Sequence, residues 1–201
     1  MFPEQVTPQV LGAPPAKGTK EYNAEINQVI ARQAKLTQAQ KDVIWKEDHI
    51  TPTMIVLPVL GTQYTEENYP ALYTLLRHAA SDTWRIGDTI QTYYQSPRPW
   101  YADERVQLLV PKITSPGYPS GHTATNSTWA HVLSDLFPAK REALFARAMA
   151  IGGHRVDGGA HFPHDVAGGR KLADTLYPIM KENPEFQREF AAAKAEIQAK
   201  K

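Results

Sequence analysis

One run constrains this chain more than any other. Between positions 70 and 94, Leu72, Leu75, Leu76, Ala79, Ile86, Ile90 and Tyr93 recur at steps of three, four and seven. That spacing gathers them on one side of a helix with 3.6 residues per turn and fits no strand period. Pro70 suits the first turn, Asn68 is a candidate N-cap, and Ser96-Pro97-Arg98-Pro99 ends the run. The spacing therefore predicts a helix over roughly 70 to 94.

The other segments read as shorter helices. From Lys20, one face carries Tyr22, Ile26, Val29 and Ile30; Thr37 with Gln40 forms a capping-box pattern leading into Val43, Ile44 and Trp45. Residues 50–62 are apolar but interrupted by breakers, which fits a short helix or a buried loop. Residues 100–119 read as loop, and a helix follows from Ser120 to about Phe137. Pro138 opens another, with Leu144, Phe145, Ala148 and Ile151 inward, until Gly152, Gly153, Gly158 and Gly159 thin the pattern around Arg155. The stretch from Pro163 to Tyr177 is helical again, and Asn183-Pro184 caps a last helix through Phe186, Phe190 and Ile197. No convincing alternating strand and no internal repeat appears. The predicted fold class is all-α, a compact helical bundle. Residues 1–18, rich in proline and glycine, read as an extended arm before a single domain over 19–201.

Composition narrows the function classes. With 201 residues, 42% of them hydrophobic, the chain is long enough for one full core. A formal charge of +1 gives no case for nucleic acid or an anionic membrane surface. The absence of cysteine excludes disulfides and thiolate metal sites. The longest apolar run, Met54 to Leu60, contains Pro58 and is far short of the ~20 residues of a membrane span. Phe2 and Pro3 lead into a polar stretch rather than a signal sequence, so the expectation is a cytoplasmic protein or the mature form of an exported one.

Three clusters carry candidate chemistry. Arg98 lies between two prolines that fix its backbone and so aim a guanidinium. In Tyr118-Pro119-Ser120-Gly121-His122, Ser120 is a candidate N-cap, and Gly121 and His122 open a helix whose free N–H groups suit an anion. The segment from Gly152 to Asp165 places Arg155 six residues before His161 and His161 four before Asp165. If that stretch is helical, the two share a face and the carboxylate holds one ring nitrogen. Taken singly, each cluster reads as well as a capped helix or a surface turn.

In this order and spacing, Arg-Pro, Pro-Ser-Gly-His and Arg-x5-His-x3-Asp resemble the type 2 phosphatidic acid phosphatase and vanadium haloperoxidase superfamily. Within it, the chain most resembles the soluble bacterial class A non-specific acid phosphatases. Tyr118, the Pro14-Pro15 and Gly18 pattern, and the tail from Asn183 to Glu196 extend the likeness over essentially the whole chain. The resemblance implies a metal-independent, cofactor-free phosphomonoesterase of broad specificity, with transphosphorylation as a side reaction. It implies His161 as nucleophile, Asp165 as its orienting partner and His122 as the acid that protonates the leaving group. Arg98, Arg155, Ser120 and Gly121 would hold the phosphate oxygens. Small phosphomonoesters and inorganic phosphate are the implied partners, with vanadate as an inhibitor. A periplasmic mature form is implied, while the cytoplasm and a homo-oligomer stay open.

Two positions depart from that pattern. Gln91 stands where the family carries a lysine, so phosphate affinity should be lower by about 1–2 kcal/mol. His154 replaces a serine before Arg155, which should act locally on Arg155 and His161. Metal ligation by His154, His161 and His164 is an alternative, opposed by Pro163 and the neighbouring arginines. A vanadate-dependent haloperoxidase would share the site residues, but Gln91 and the short chain argue against cofactor retention. A non-catalytic phosphate-binding protein would need neither His161 nor His122. His49, His78 and His131 read as surface or satisfied core residues, and Trp84, Tyr93 and Tyr94 as core or pocket wall.

Overall fold

The computed structural model describes residues 6–200, and among them every regular element is helical. The α-helices are α1 (Pro8–Leu11), α2 (Lys20–Gln33), α3 (Gln38–Lys46), α4 (Thr53–Leu60), α5 (Pro70–Tyr94) and α6 (Pro99–Ala102). They continue as α7 (Gly121–Leu136), α8 (Arg141–Asp157), α9 (Pro163–Glu182) and α10 (Pro184–Ala199), with a 3-10 turn at Pro138–Lys140.

α7 is the axis of the bundle, with α5, α8 and α9 packed around it. Residues His122 through Ala130 are all buried, as are Val132, Leu133 and Ser134. A helix buried on every side must pair its polar groups internally. Accordingly, Trp129 Nε1 donates to the Leu76 carbonyl at 2.7 Å, and Thr128 Oγ1 lies 3.1 Å from Thr83 Oγ1. Glycines let the neighbours come close. A Cβ on Gly169 of α9 would sit 2.5 Å from the Ser120 carbonyl, and one on Gly152 of α8 2.9 Å from Thr123 and Val166. Both helices thus seat on the N-terminal turn of α7, where the site lies. Gly152 and Gly153 do not interrupt α8, which runs on to Asp157.

α5 matches its periodicity to the C-terminus, where Gln95 turns left-handed at φ 50°. Its start differs from the expectation. The N-cap is Tyr69 rather than Asn68, and the carboxylate of Glu196 on α10 accepts from the N–H groups of Ala71 and Leu72, each at 3.1 Å. This non-local partner satisfies donors that no side chain beside the helix start reaches.

The segment 50–62 resolves into α4 despite Pro58. A proline in a helix leaves the carbonyl four residues earlier without its partner. Here that carbonyl is on Met54, and Arg147 Nε donates to it at 2.8 Å. In the stretch read as an extended arm, Pro8–Leu11 is helical and Leu11 is buried. Tyr94 Oη donates to the Pro8 carbonyl at 2.9 Å and Tyr118 Oη to that of Gly12 at 3.0 Å. No helix among the described residues is long and apolar enough to cross a membrane.

Candidate active site

A cavity of about 160 Å³ opens beside the N-terminus of α7, lined by Gln91, Arg98, Gly121, His122 and His161 together with Asp48, Trp84, Ile113 and Ser115. Ser120, Arg155 and Asp165 are fully buried around these residues. The three sequence clusters therefore converge on one place.

His161 sits in the loop before α9, not on it, so it and Asp165 do not share a helix face as the spacing suggested. They meet by another route. Asp165 occupies the first turn of α9, where its Oδ2 accepts the Phe162 N–H at 2.8 Å and lies 3.2 Å from His161 Nδ1. Arg98 Nη1 lies 3.1 Å from His161 Nε2. A guanidinium only donates, so Nε2 accepts and the ring proton sits on Nδ1, toward Asp165. Burial, then the charge of Arg98, pushes the His161 imidazole down to about 4 against the pull of Asp165. Its Nε2 lone pair is therefore present even in mild acid.

Asp165 is shared. Its Oδ1 lies 3.2 Å from His164 Nε2, while His164 Nδ1 pairs with Glu25 of α2. Burial alone would raise the Asp165 carboxyl, but its contacts with His161 and His164 outweigh it and hold the group at about 2. For His164, burial is likewise outweighed by Asp165 and Glu25, and the ring is pushed up to about 9.

Arg98 is more committed than its motif suggests. Nε donates to the Ser115 carbonyl at 2.7 Å, Nη2 to Ser115 Oγ and the Pro116 carbonyl, and Nη1 to the Ala160 carbonyl as well as His161. Burial lowers it to about 10, which leaves it charged at neutral pH. Arg155 is the opposite case. Nη1 donates to Asp48 Oδ1 at 3.0 Å, while Nε and Nη2, both buried, have no partner. Unpaired donors on a buried cation are costly, and an anion is what satisfies them.

Ser120 caps α7 as expected: its Oγ accepts from the Thr123 N–H at 3.3 Å and from Thr123 Oγ1 at 3.1 Å. Its own N–H donates to the Asp165 carbonyl at 2.9 Å, tying two clusters together. Gly121 faces Trp84, whose ring a Cβ there would meet at 2.8 Å. His122 Nε2 donates to the Asp48 carbonyl at 2.9 Å. Burial, then Arg155 and His161, pushes His122 well below the ordinary imidazole range. Gln91 lines the cavity, but its Nε2 is bound to the Pro119 carbonyl at 2.8 Å. It braces the Pro-Ser-Gly-His loop rather than offering that donor to a ligand.

The His154 ring bonds to neither Arg155 nor His161. Its Nδ1 lies 2.7 Å from Oε2 of the buried Glu47, whose Oε1 accepts from Arg147 Nη2 at 2.6 Å. His154 thus pairs with Glu47 while His161 and His164 meet at Asp165, and among the described residues no group of three His, Asp or Glu is arranged to hold a metal ion. His49 and His78 are exposed and His131 half-buried, outside the site. Tyr93 is exposed rather than core, whereas Trp84 is a pocket wall. Sequence reasoning missed Asp48, Ile113 and Ser115. None lies in a motif, and only the fold brings them to the cavity.

Residues 71–177, just over half of the chain, match the PAP2 superfamily. A non-specific acid phosphatase of Providencia stuartii is 30% identical over 144 residues, covering 68% of this chain and 57% of that protein. One of Salmonella typhimurium is 27% identical over 151 residues, covering 73% and 60%. The chain thus spans less than two thirds of the length of these curated relatives. The solved structure of a transmembrane PAP2 type phosphatidylglycerolphosphate phosphatase from Bacillus subtilis superposes with a TM-score of 0.59 at 18% identity. It covers 82% of this chain and 87% of that one, a likeness of fold.

Proposed function

The chain belongs to the PAP2 superfamily, and from that premise we propose that it is a phosphomonoester hydrolase that works through a phosphohistidine at His161. One observation carries the reading: buried, unpartnered donors of Arg155 stand in the same site as a neutral His161 whose Nε2 is unprotonated. Such a site is built for a phosphoryl group and a nitrogen nucleophile.

The phosphate enters against Arg155 and the free N–H groups at the start of α7. One of its oxygens replaces His161 as the partner of Arg98 Nη1, which frees Nε2 to attack phosphorus. The N–P bond forms as the ester P–O bond breaks. Asp165 steadies the charge that develops on the ring through Nδ1. His122 passes a proton to the departing oxygen. Burial holds His122 neutral, so the proton arrives with the substrate: a phosphate monoanion lends it to the imidazole beside it. Water then attacks phosphorus, His122 takes its proton, and inorganic phosphate leaves with His161 restored. An alcohol in the place of water gives phosphate transfer.

These protonation states set the pH range. Phosphomonoesters are monoanions below their second pKa of about 6. His161 stays unprotonated down to about 4. Activity should therefore peak between those limits. Hydrolysis of a chromogenic phosphomonoester from about pH 4 to about pH 8, with and without chelator and vanadate, tests this. The expected result is an acid optimum, indifference to chelator and inhibition by vanadate. Loss of activity in chelator, restored by a divalent ion, would overturn it.

A further inference from the structure

The phosphate cavity, of about 160 Å³, is walled by the groups that would hold and attack the phosphoryl group, and the alcohol half of a substrate would extend from it into neighbouring space. Two larger cavities adjoin it. One, of about 430 Å³, shares Arg98, Ile113 and Ser115 with the phosphate cavity and adds Trp100 and Lys112. The other, of about 380 Å³, shares Trp84.

Stereochemistry chooses between them. In an in-line displacement the attacking and leaving atoms stand on opposite sides of phosphorus. His161, with Arg98 against its Nε2, marks the attacking side, and the first cavity adjoins Arg98. His122 marks the leaving side, and its Nε2 is bonded to the Asp48 carbonyl. From Asp48 the chain continues as Ile50, Thr51, Pro52 and Thr53, and these residues wall the second cavity. Trp84 stands between the two spaces. Its indole lies edge-on to Gly121 and remains 42% exposed, so part of the ring is open to a ligand. Ala80, one turn earlier on α5, leaves room beside it.

We propose that this groove receives the leaving group and that it favours phosphate esters of planar aromatic alcohols, which stack on Trp84. The inference rests on the phosphatase reading above and names its substrate class. A flat ring matches the indole face, and aromatic pairs gain beyond the area they bury. The Arg77–Glu66 ion pair in the same groove adds a donor and an acceptor for polar substituents on the ring. Small aliphatic alcohols reach the same groove but have no ring to stack on Trp84 and gain less there.

Calorimetry with phenylphosphonate and methylphosphonate tests this without turnover, since the two probes differ only in the ring. The expected result is that phenylphosphonate binds about tenfold more tightly, that Trp84→Ala abolishes the difference, and that Trp84→Phe keeps most of it. KM for phenyl phosphate should rise in Trp84→Ala by the same factor. Equal affinity of the two probes for the unaltered protein, or a preference that survives Trp84→Ala, would overturn the groove while leaving the phosphate site standing. Failure of both probes to bind would overturn the phosphate site itself, and the groove with it.

Discussion

Gln91 stands where the resembled family carries a lysine, and its position in the cavity makes the difference testable. It is 4% exposed and its amide braces Pro119. A lysine there adds a third cation to Arg98 and Arg155. Gln91→Lys should lower the inhibition constants of phosphate and vanadate by about tenfold, the equivalent of about 1.4 kcal/mol. Because three cations then face an empty cavity, its melting temperature without phosphate should fall below that of the parent and recover when phosphate is added. Unchanged inhibition constants would mean that the lysine does not reach the anion. His164 makes a second residue-scale case. As a cation between Glu25 and Asp165, it competes with His161 for the carboxylate. Replacing it, as in His164→Ser, removes that competing cation from Asp165 and raises the basicity of the His161 ring. The acid limb of kcat/KM should therefore move to higher pH, which a pH–rate profile of both proteins reads directly.

At the scale of the elements, α9 and α8 are held to α7 by glycine, and two substitutions separate packing from propensity. Gly169→Ala puts a methyl 2.5 Å from the Ser120 carbonyl, pushing α9 off the cap that Asp165 shares with Ser120. A loss of about 1–3 kcal/mol together with a fall in kcat is expected. Gly153→Ala, whose nearest neighbour would be Arg32 Nη2 at 3.5 Å, should instead stabilise α8 by about 0.5–1 kcal/mol. Denaturant unfolding of the pair checks both. The same scale shows what the sequence reveals. Periodicity located α5 to within a residue of its ends because its apolar face is continuous, and Ser120 announced α7 by its own side chain. The Glu196 cap on α5, the Arg147 bond that rescues Met54 in α4, and Asp48 beside His122 left no local trace. Each joins residues far apart in the chain, and only packing creates them. The His161–Asp165 pair was read correctly as a contact but by the wrong geometry, since Pro163 starts the helix after His161.

For the whole molecule, burying two neutral histidines makes stability depend on acid. His161 at about 4 and His122, also depressed, bind protons less readily folded than unfolded. Their contribution is complete above the unfolded value of about 6.5 and is lost as pH falls from there toward about 4. His164, raised to about 9, works in the other direction. Its contribution is complete below about 6.5 and lost as pH rises through about 9, so it leaves the acid slope unchanged. The melting temperature should fall between about pH 6.5 and about pH 4, and inorganic phosphate should restore part of it by binding the folded state. A flat profile would contradict the burial of neutral rings. The proposed chemistry turns on where the phosphoryl group is held between its two steps. The most direct measurement is to mix the protein with a phosphomonoester labelled at phosphorus, quench in alkali and map the label by peptide sequencing. The result predicted is an acid-labile, alkali-stable label on His161 that is absent, along with turnover, from a folded His161→Ala variant. Label on any other residue, or turnover that survives in His161→Ala, would contradict it.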